Sequence, residues 1–310
     1  MKVLVTGGAG FIGANLCRRL TQDPRIEQVR VIDDLSTGRA DALDGIPVEF
    51  TEASILDREA LDSAADGCQS IVHLAALGSV PRSVADPEAS HAANATGTLR
   101  VLDAARHNDN AHVVLASSSS VYGANPTLPK VETLLCQPMS PYAVSKLATE
   151  QYAMAYAACY DLPVLPFRFF NVYGPGQHAG HVYAAVVPVF LDAALAGRPL
   201  PLNGDGEQSR DFTFVGTVVE TLTRAVTDRV TSGPTNLAFG TRTTLNELIR
   251  LIEAALGHPV QIERRDPRPG DVRHSQADNA QLRGLFPDIT AVPLQTGIAQ
   301  TLDWFRSRRS

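Results

Sequence analysis

Val3-Leu4-Val5-Thr6-Gly7-Gly8-Ala9-Gly10-Phe11-Ile12-Gly13 reads as a buried apolar strand that enters a glycine turn and leaves as a helix. Phe11, Ile12, Leu16 and Leu20 continue at the spacing of one helix face, which supports the second half of that reading. A strand, a glycine turn and a helix in that order bring the N–H groups of a helix N-terminus to face a pyrophosphate. Working outward, β-like runs at 29–33, 48–51, 70–74, 112–116 and 163–168 alternate with longer amphipathic stretches. The alternation predicts an α/β fold with a parallel, doubly wound sheet. Alanine-rich helices are expected near 90–107 and 142–160. After Gly174, glycine, proline and asparagine become frequent and apolar runs shorten, as expected for a smaller α/β region that binds substrate.

The chain has 310 residues, enough for one large or two fused α/β domains with a sizeable core. A formal charge of −6 supplies no global basic field, so nucleic acid is not an expected partner and anions must be held by local arginines and helix N-termini. Cys17, Cys68, Cys136 and Cys159 lack metal-ligand spacing and read as small core or helix residues in a reducing compartment. No metal is expected. A strand begins directly after the first residue and no apolar run is long enough to span a bilayer, so a cytoplasmic protein without membrane association is expected.

Tyr142 and Lys146 stand four residues apart in Ser140-Pro141-Tyr142-Ala143-Val144-Ser145-Lys146. On a helix this puts phenol and ammonium on one face, where a cation favours phenolate and makes tyrosine a usable base. Lys2, Lys130 and Lys146 are the only lysines, so a lysine here, where arginine would solvate equally well, suggests a need for the compact, tunable ammonium. The Gly-x-x-Gly-x-x-Gly spacing, Asp33, His73-Leu74-Ala75-Ala76, the serine run before Val121-Tyr122-Gly123 and Tyr142-x-x-x-Lys146 together resemble the extended short-chain dehydrogenase/reductase superfamily over essentially the whole chain. Within it the chain is most similar to the UDP-sugar 4-epimerases.

That resemblance implies a Rossmann-type NAD-binding domain over 1–174, with a return near 212–240 and in particular at 212–219. A domain for the nucleotide sugar is implied over 175–211 and 241–310. Cofactor contacts fall on Gly7, Gly10, Phe11, Ile12, Gly13, Asp33, Ile55, Asp57, Leu74, Ala75, Ala76, Tyr142 and Lys146. Asp33 stands where an acidic side chain accepts from the adenosine ribose and repels a 2′-phosphate, favouring NAD over NADP; Arg39 is a counterweight. Asp57 resembles the residue that contacts adenine and reads equally as a helix N-cap. Tyr142 is the implied base, Lys146 its partner and ribose anchor, and Ser118 the hydroxyl that assists, with Ser119 next among Ser117, Ser118, Ser119 and Ser120. Substrate contacts are implied at Gly78, Ser79, Ser118, Ser119, Asn171, Val187, Arg210, Arg268, Arg273 and Ser275.

Arg210 and Arg268 match the family's diphosphate arginines. In relatives specific for UDP-glucose a lysine tends to match Gly78 and a tyrosine Ser275, so small residues at both favour N-acetylated UDP-hexoses. The family commonly dimerises through two long helices, so a homodimer is implied. UDP-glucuronate epimerases and decarboxylases are the alternatives, with Arg82 a candidate for the carboxylate. A 4,6-dehydratase would need an acidic pair where Ser119 and Ser120 stand, and a non-enzymatic redox sensor would not need Ser118, Tyr142 and Lys146 together.

Overall fold

In the computed structural model, which describes residues 1–180, 185–266 and 273–309, β1 (Lys2–Thr6) runs through the glycine turn into α1 (Phe11–Leu20). β2 (Gln28–Asp33), β3 (Glu49–Glu52), α2 (Arg58–Ala65) and β4 (Ser70–His73) follow. Next come α3 (Val80–Ala85), α4 (Pro87–His91), α5 (Gly97–His107), β5 (His112–Ser118), α6 (Pro141–Tyr160) and β6 (Val164–Phe169). The later part holds β7 (Val172–Tyr173), α7 (Val186–Leu195), β8 (Leu200–Asn203), β9 (Ser209–Arg210), β10 (Thr213–Phe214), α8 (Val215–Thr227) and β11 (Thr235–Leu237). β12 (Thr243–Thr244), α9 (Leu245–Leu256), β13 (Ile262–Arg265), α10 (Ala280–Leu285) and α11 (Leu294–Ser307) complete it.

Seven strands form one parallel sheet in the order β11-β6-β5-β4-β1-β2-β3. β1 is the pivot, pairing Val3 with Val29 on one side and with Ser70 on the other. The strand order reverses there, which opens a crevice at the carboxyl ends. Because successive side chains point to opposite faces, Val3 and Val5 join the core under α1, α8 and α10, while Leu4 joins the core under α2, α5 and α6. Such two-sided burial explains why these strands read as unbroken apolar runs. A third core, around Phe190, Leu202, Leu248 and Leu302, belongs to the smaller region.

Three features differ from expectation in form. The return at 212–219 is a two-residue pairing of Thr213 and Phe214 with Val172 and Tyr173, followed by helix α8. Its Val and Thr content suits a strand, but Val215, Val218, Val219, Leu222 and Val226 are spaced as one helix face and bury it. The helix expected over 90–107 is α4 and α5 joined by a wide π turn at Ala92–Thr96. Beyond the boundary expected at 241 the chain returns to the large core once more, where Leu282 and Phe286 are buried and the Phe286 ring sits 6.1 Å from that of Phe167.

The turn from β1 to α1 leaves no room for side chains. Gly7 has φ +72°, and a Cβ on Gly13 would lie 2.2 Å from the Gly7 carbonyl oxygen. Gly13→Ala is therefore expected to destabilise the protein by about 1–3 kcal/mol in urea unfolding and to weaken nucleotide binding. Gly284→Ala in α10, where a Cβ meets nothing within 4 Å, is expected to stabilise by about 0.5–1 kcal/mol in the same assay.

Candidate active site

A cavity of about 300 Å³ opens at the carboxyl ends of β1, β2 and β4, lined by Gly7, Gly10, Asp33, Ile55, Leu74 and Ala75 among others, including Ala76. α1 enters it with no acidic residue in its first turn and no side-chain cap. A Cβ on Gly10 would meet only the Gly7 carbonyl, at 3.2 Å, so the turn offers its N–H groups to a ligand at close range. Phe11 and Ile12 pack their side chains against the core, which leaves backbone contact as their route to a ligand. Asp33 ends β2 with its carboxylate held by the N–H groups of Ala9 and Leu35, both at 2.9 Å. Burial raises its pKa and those two donors oppose the rise. Arg39 is turned away, its guanidinium bonded to Asp41. An acidic acceptor at the strand end, a bare helix N-terminus and a deep apolar slot fit the adenosine and pyrophosphate of a dinucleotide without a 2′-phosphate.

Asp57 does not line this slot. It is exposed and caps α2 by accepting from the Ala60 N–H at 3.2 Å. Helix α2 starts immediately after it, so the carboxylate is used by the nearest orphan N–H.

α6 presents the candidate acid–base groups. Ser140 caps it, Pro141 occupies its first turn, and the Tyr142 N–H donates to Ser83 Oγ at 3.0 Å, which ties the helix start to α3. One turn on, the buried Lys146 ammonium donates to the Ala116 carbonyl at 2.9 Å, and burial pushes its pKa down to about 8. Burial raises the Tyr142 pKa, opposed by a hydrogen bond from Ser118. Of the four serines, Ser118 is the one whose hydroxyl lowers the Tyr142 pKa. Its Oγ accepts from the Ser120 N–H at 3.2 Å and from Ser120 Oγ at 2.9 Å, which leaves its own proton for the phenol.

Beneath this group Asn94, which gave no sequence signal, and His73, from the His73-Leu74-Ala75-Ala76 motif, are both engaged in hydrogen bonds. The π turn places Asn94 so that its side chain bonds the N–H and carbonyl of Leu77 and Ser145 Oγ, while its own carbonyl accepts from Thr98 and Thr149. It fastens the cavity loop to α6. His73 is buried between Thr6 Oγ1 at 2.8 Å and Thr98 Oγ1 at 3.0 Å, and burial lowers its pKa to about 3, so it is neutral and structural.

A second cavity, of about 240 Å³, lies in the smaller region and is lined by Asn171, Val187, Phe190, Gln208, Arg210 and Phe212 among others. Asn171, at φ +27°, bonds the Asp211 carbonyl, and Arg210 donates to the carbonyls of Ser209 and Arg273. Arg273 itself is exposed and pairs with Asp205 at 2.9 Å, and Ser275 donates its N–H to the Ser209 carbonyl; neither lines the cavity, because the segment runs alongside β9 as a strand-like ladder. Arg268 lies outside the described residues. Ser79, at φ +96°, caps α3, and Gly78 is exposed, with nothing within 4 Å of where a Cβ would stand. Phe190 had no motif to announce it, while Gln208 and Phe212 flank Arg210 in the same stretch without having been singled out.

Residues 3–238 match the family described as Epimerase, the NAD dependent epimerase/dehydratase family. The chain belongs to this family. It is 40% identical to the UDP-glucose 4-epimerase of Mycolicibacterium smegmatis, covering 99% of both chains. Among solved structures it superposes on the UDP-N-acetylglucosamine 4-epimerase of Methanobrevibacter ruminantium M1 in complex with UDP-N-acetylmuramic acid, with a TM-score of 0.94, 34% identity and coverage of 99% of this chain and 98% of that one. It also superposes on the UDP-glucose 4-epimerase of Thermotoga maritima with UDP-glucose, with a TM-score of 0.95, 32% identity and full coverage of both chains. As a member of the epimerase/dehydratase family the chain is an enzyme whose cofactor is NAD. Among the described residues no helix is long and apolar enough to cross a membrane.

A lysine whose folded pKa is about 8, against the ordinary value of 10.5, opposes folding below that folded value, and the opposition fades as pH rises from about 8 toward 10.5, because the unfolded chain then binds the extra proton. Lys146→Met should therefore make the cofactor-free protein more stable at neutral pH, by about 2 kcal/mol once the lost bond to Ala116 is allowed for, with the gain shrinking in denaturation curves taken at higher pH.

Proposed function

We propose that this enzyme is an NAD-dependent UDP-hexose 4-epimerase acting on UDP-N-acetylglucosamine and UDP-N-acetylgalactosamine, with activity on UDP-glucose and UDP-galactose as well, by way of a 4-keto sugar. The observation that carries the reading is that α6 places Tyr142 and Lys146 one turn apart at the end of β5, where Lys146 bonds the Ala116 carbonyl and Ser118 lowers the Tyr142 pKa. NAD supplies the hydride acceptor, and its positive charge favours the tyrosinate. Tyr142 takes the proton of the sugar's 4-hydroxyl, and Ser118, itself fixed by Ser120, donates to the oxygens that carry the developing charge. Lys146 is positioned by the Ala116 carbonyl to meet the ribose hydroxyls and, at a pKa near 8, to share a proton with the site.

Gly7, Gly10, Gly13 and the α1 N-terminus would hold the pyrophosphate of NAD, and Asp33 the adenosine ribose. Arg210, with Arg268 and Asn171, would hold the substrate diphosphate, and the Val187 and Phe190 side of the second cavity its base. A firm grip on the nucleotide leaves the sugar able to turn over and take hydride back on its other face. Open space at Gly78 leaves room for an acetamido group, although an empty volume rejects a smaller substituent only weakly. The exposed side of α6, with Val144, Tyr152 and Tyr160, is proposed as part of a homodimer contact, and the cytoplasm as the compartment.

The test is to incubate the purified protein separately with UDP-N-acetylglucosamine and UDP-glucose and to resolve the products by chromatography and NMR. Conversion of both to their 4-epimers, faster for the acetylated sugar, is expected, with Tyr142→Phe slower by about 10³-fold. Equal rates, or a faster UDP-glucose reaction, would remove the argument from Gly78 and leave the chemistry standing; no conversion of either sugar would overturn the function.

A further inference from the structure

The ion pair of Glu150 and Arg168 is the most deeply buried charge pair among the described residues, with side chains 0% and 4% exposed and a 2.6 Å contact. Burying two charges is weak ground for stability, because well-packed apolar side chains of similar volume often serve as well or better. The pair's connections suggest another purpose. Glu150 lies one turn beyond Lys146 and two beyond Tyr142 on α6, on the same side of the helix. Arg168 is on β6, next to the strand that carries Ser117 and Ser118, and is paired in register with Ser117.

All the guanidinium's directions are used. Nε and Nη2 grip the two Glu150 oxygens at 2.9 and 2.6 Å, Nη1 donates to Tyr122 Oη at 2.9 Å and to the Glu132 carbonyl at 3.0 Å, and Nη2 also faces Cys136 Sγ at 3.5 Å. Tyr122 passes its own proton to Asn236 Oδ1 at 2.7 Å. The second link is Ser117, whose hydroxyl donates to Glu150 Oε2 at 3.1 Å and lies 3.4 Å from the Lys146 carbonyl.

Neighbouring side chains on a strand point to opposite faces, so holding Ser117 down on Glu150 sets the direction in which Ser118 points up at Tyr142. From the other side, Arg168 holds Tyr122 at the end of the short turn that contains Ser120, the donor to Ser118. We propose that Glu150 and Arg168 form a positioning unit that sets the Ser118–Tyr142–Lys146 geometry through Ser117 and Tyr122. The proposal rests on the catalytic reading above, and none of Ser117, Tyr122, Glu150 and Arg168 lines either cavity.

Replacing both partners with apolar residues, Glu150→Leu with Arg168→Met, separates positioning from stability. The double variant is expected to unfold at a urea midpoint near that of the parent, yet to lose about 10–100-fold in kcat. KM should stay within roughly twofold, since nucleotide contacts are untouched. With Ser118 misaligned, Tyr142 loses the bond that lowers its pKa, so the rising limb of the kcat–pH profile should move to higher pH. Ser117→Ala, which removes one hydroxyl and keeps the pair, should move kcat and the limb in the same direction by less. Tyrosinate formation followed by ultraviolet difference titration against a Tyr142→Phe background reads the same displacement without turnover. It therefore decides the matter even if neither sugar is epimerised, an outcome that would strike the proposed function alone. A double variant, or a Ser117→Ala protein where the double variant does not fold, with parental kcat and an unmoved Tyr142 titration would overturn the positioning role.

Discussion

Where β1 turns into α1 the chain passes so close to itself that one added carbon on Gly13 would penetrate the Gly7 carbonyl. This contact lets the helix start directly at the carboxyl edge of the central strand, and the larger site is arranged around it. Gly7 lies against the backbone of Leu74 and Ala75 at the end of β4, so the same turn sets the floor of the nucleotide cavity. Asp33 reaches back to the Ala9 N–H and locks the next strand end to the turn. Three strand ends are thereby held within one slot, and a bare helix N-terminus faces into it.

A second theme is the engagement of polar groups away from water. Lys146 is buried against a carbonyl, His73 is kept neutral between two threonines, and Asn94 is held in the π turn by bonds to Leu77 and Ser145. Asp211 is buried and is held by the N–H groups of Gly240, Thr241 and Ala277 and by the Thr241 hydroxyl. In a low-dielectric interior such groups are tolerated only when their partners are complete, and complete partners leave them one arrangement. The side chains of the candidate site inherit that rigidity: Ser118 is oriented by Ser120, and α6 is fastened at its start by Ser83 and further along by Asn94 and Glu150.

Residues whose role depends on local spacing are legible in the chain alone. The glycine turn, Asp33 at the end of β2 and the placing of Tyr142 and Lys146 on one helix are of this kind in their structure, since turn geometry, strand-end position and helical periodicity act within a few residues. Ser118 can be singled out from sequence only by motif matching, and its distinction from Ser117 becomes physical when the pleat sends one hydroxyl to Glu150 and the other to Tyr142. Asp57, Arg273 and Ser275 stand away from the cavities for a common reason: each is satisfied by a neighbour, a helix N–H, Asp205 or Ser209, whose proximity a motif cannot weigh.

By itself the sequence determined the alternation of strand and helix, the doubly wound parallel sheet and the placing of Tyr142 and Lys146 one turn apart on a helix, because all of these follow from periodicity and short-range sterics. Tertiary structure alone decided that 215–227 is a helix despite its β-branched content, that the chain returns to the large core at Leu282 and Phe286, and that Phe190, Gln208 and Phe212 line the second cavity. It alone decided the partners of Glu150 and Arg168. These outcomes depend on contacts between segments far apart in the chain, where burial of a whole face or completion of a polar network outweighs the preference of any single stretch.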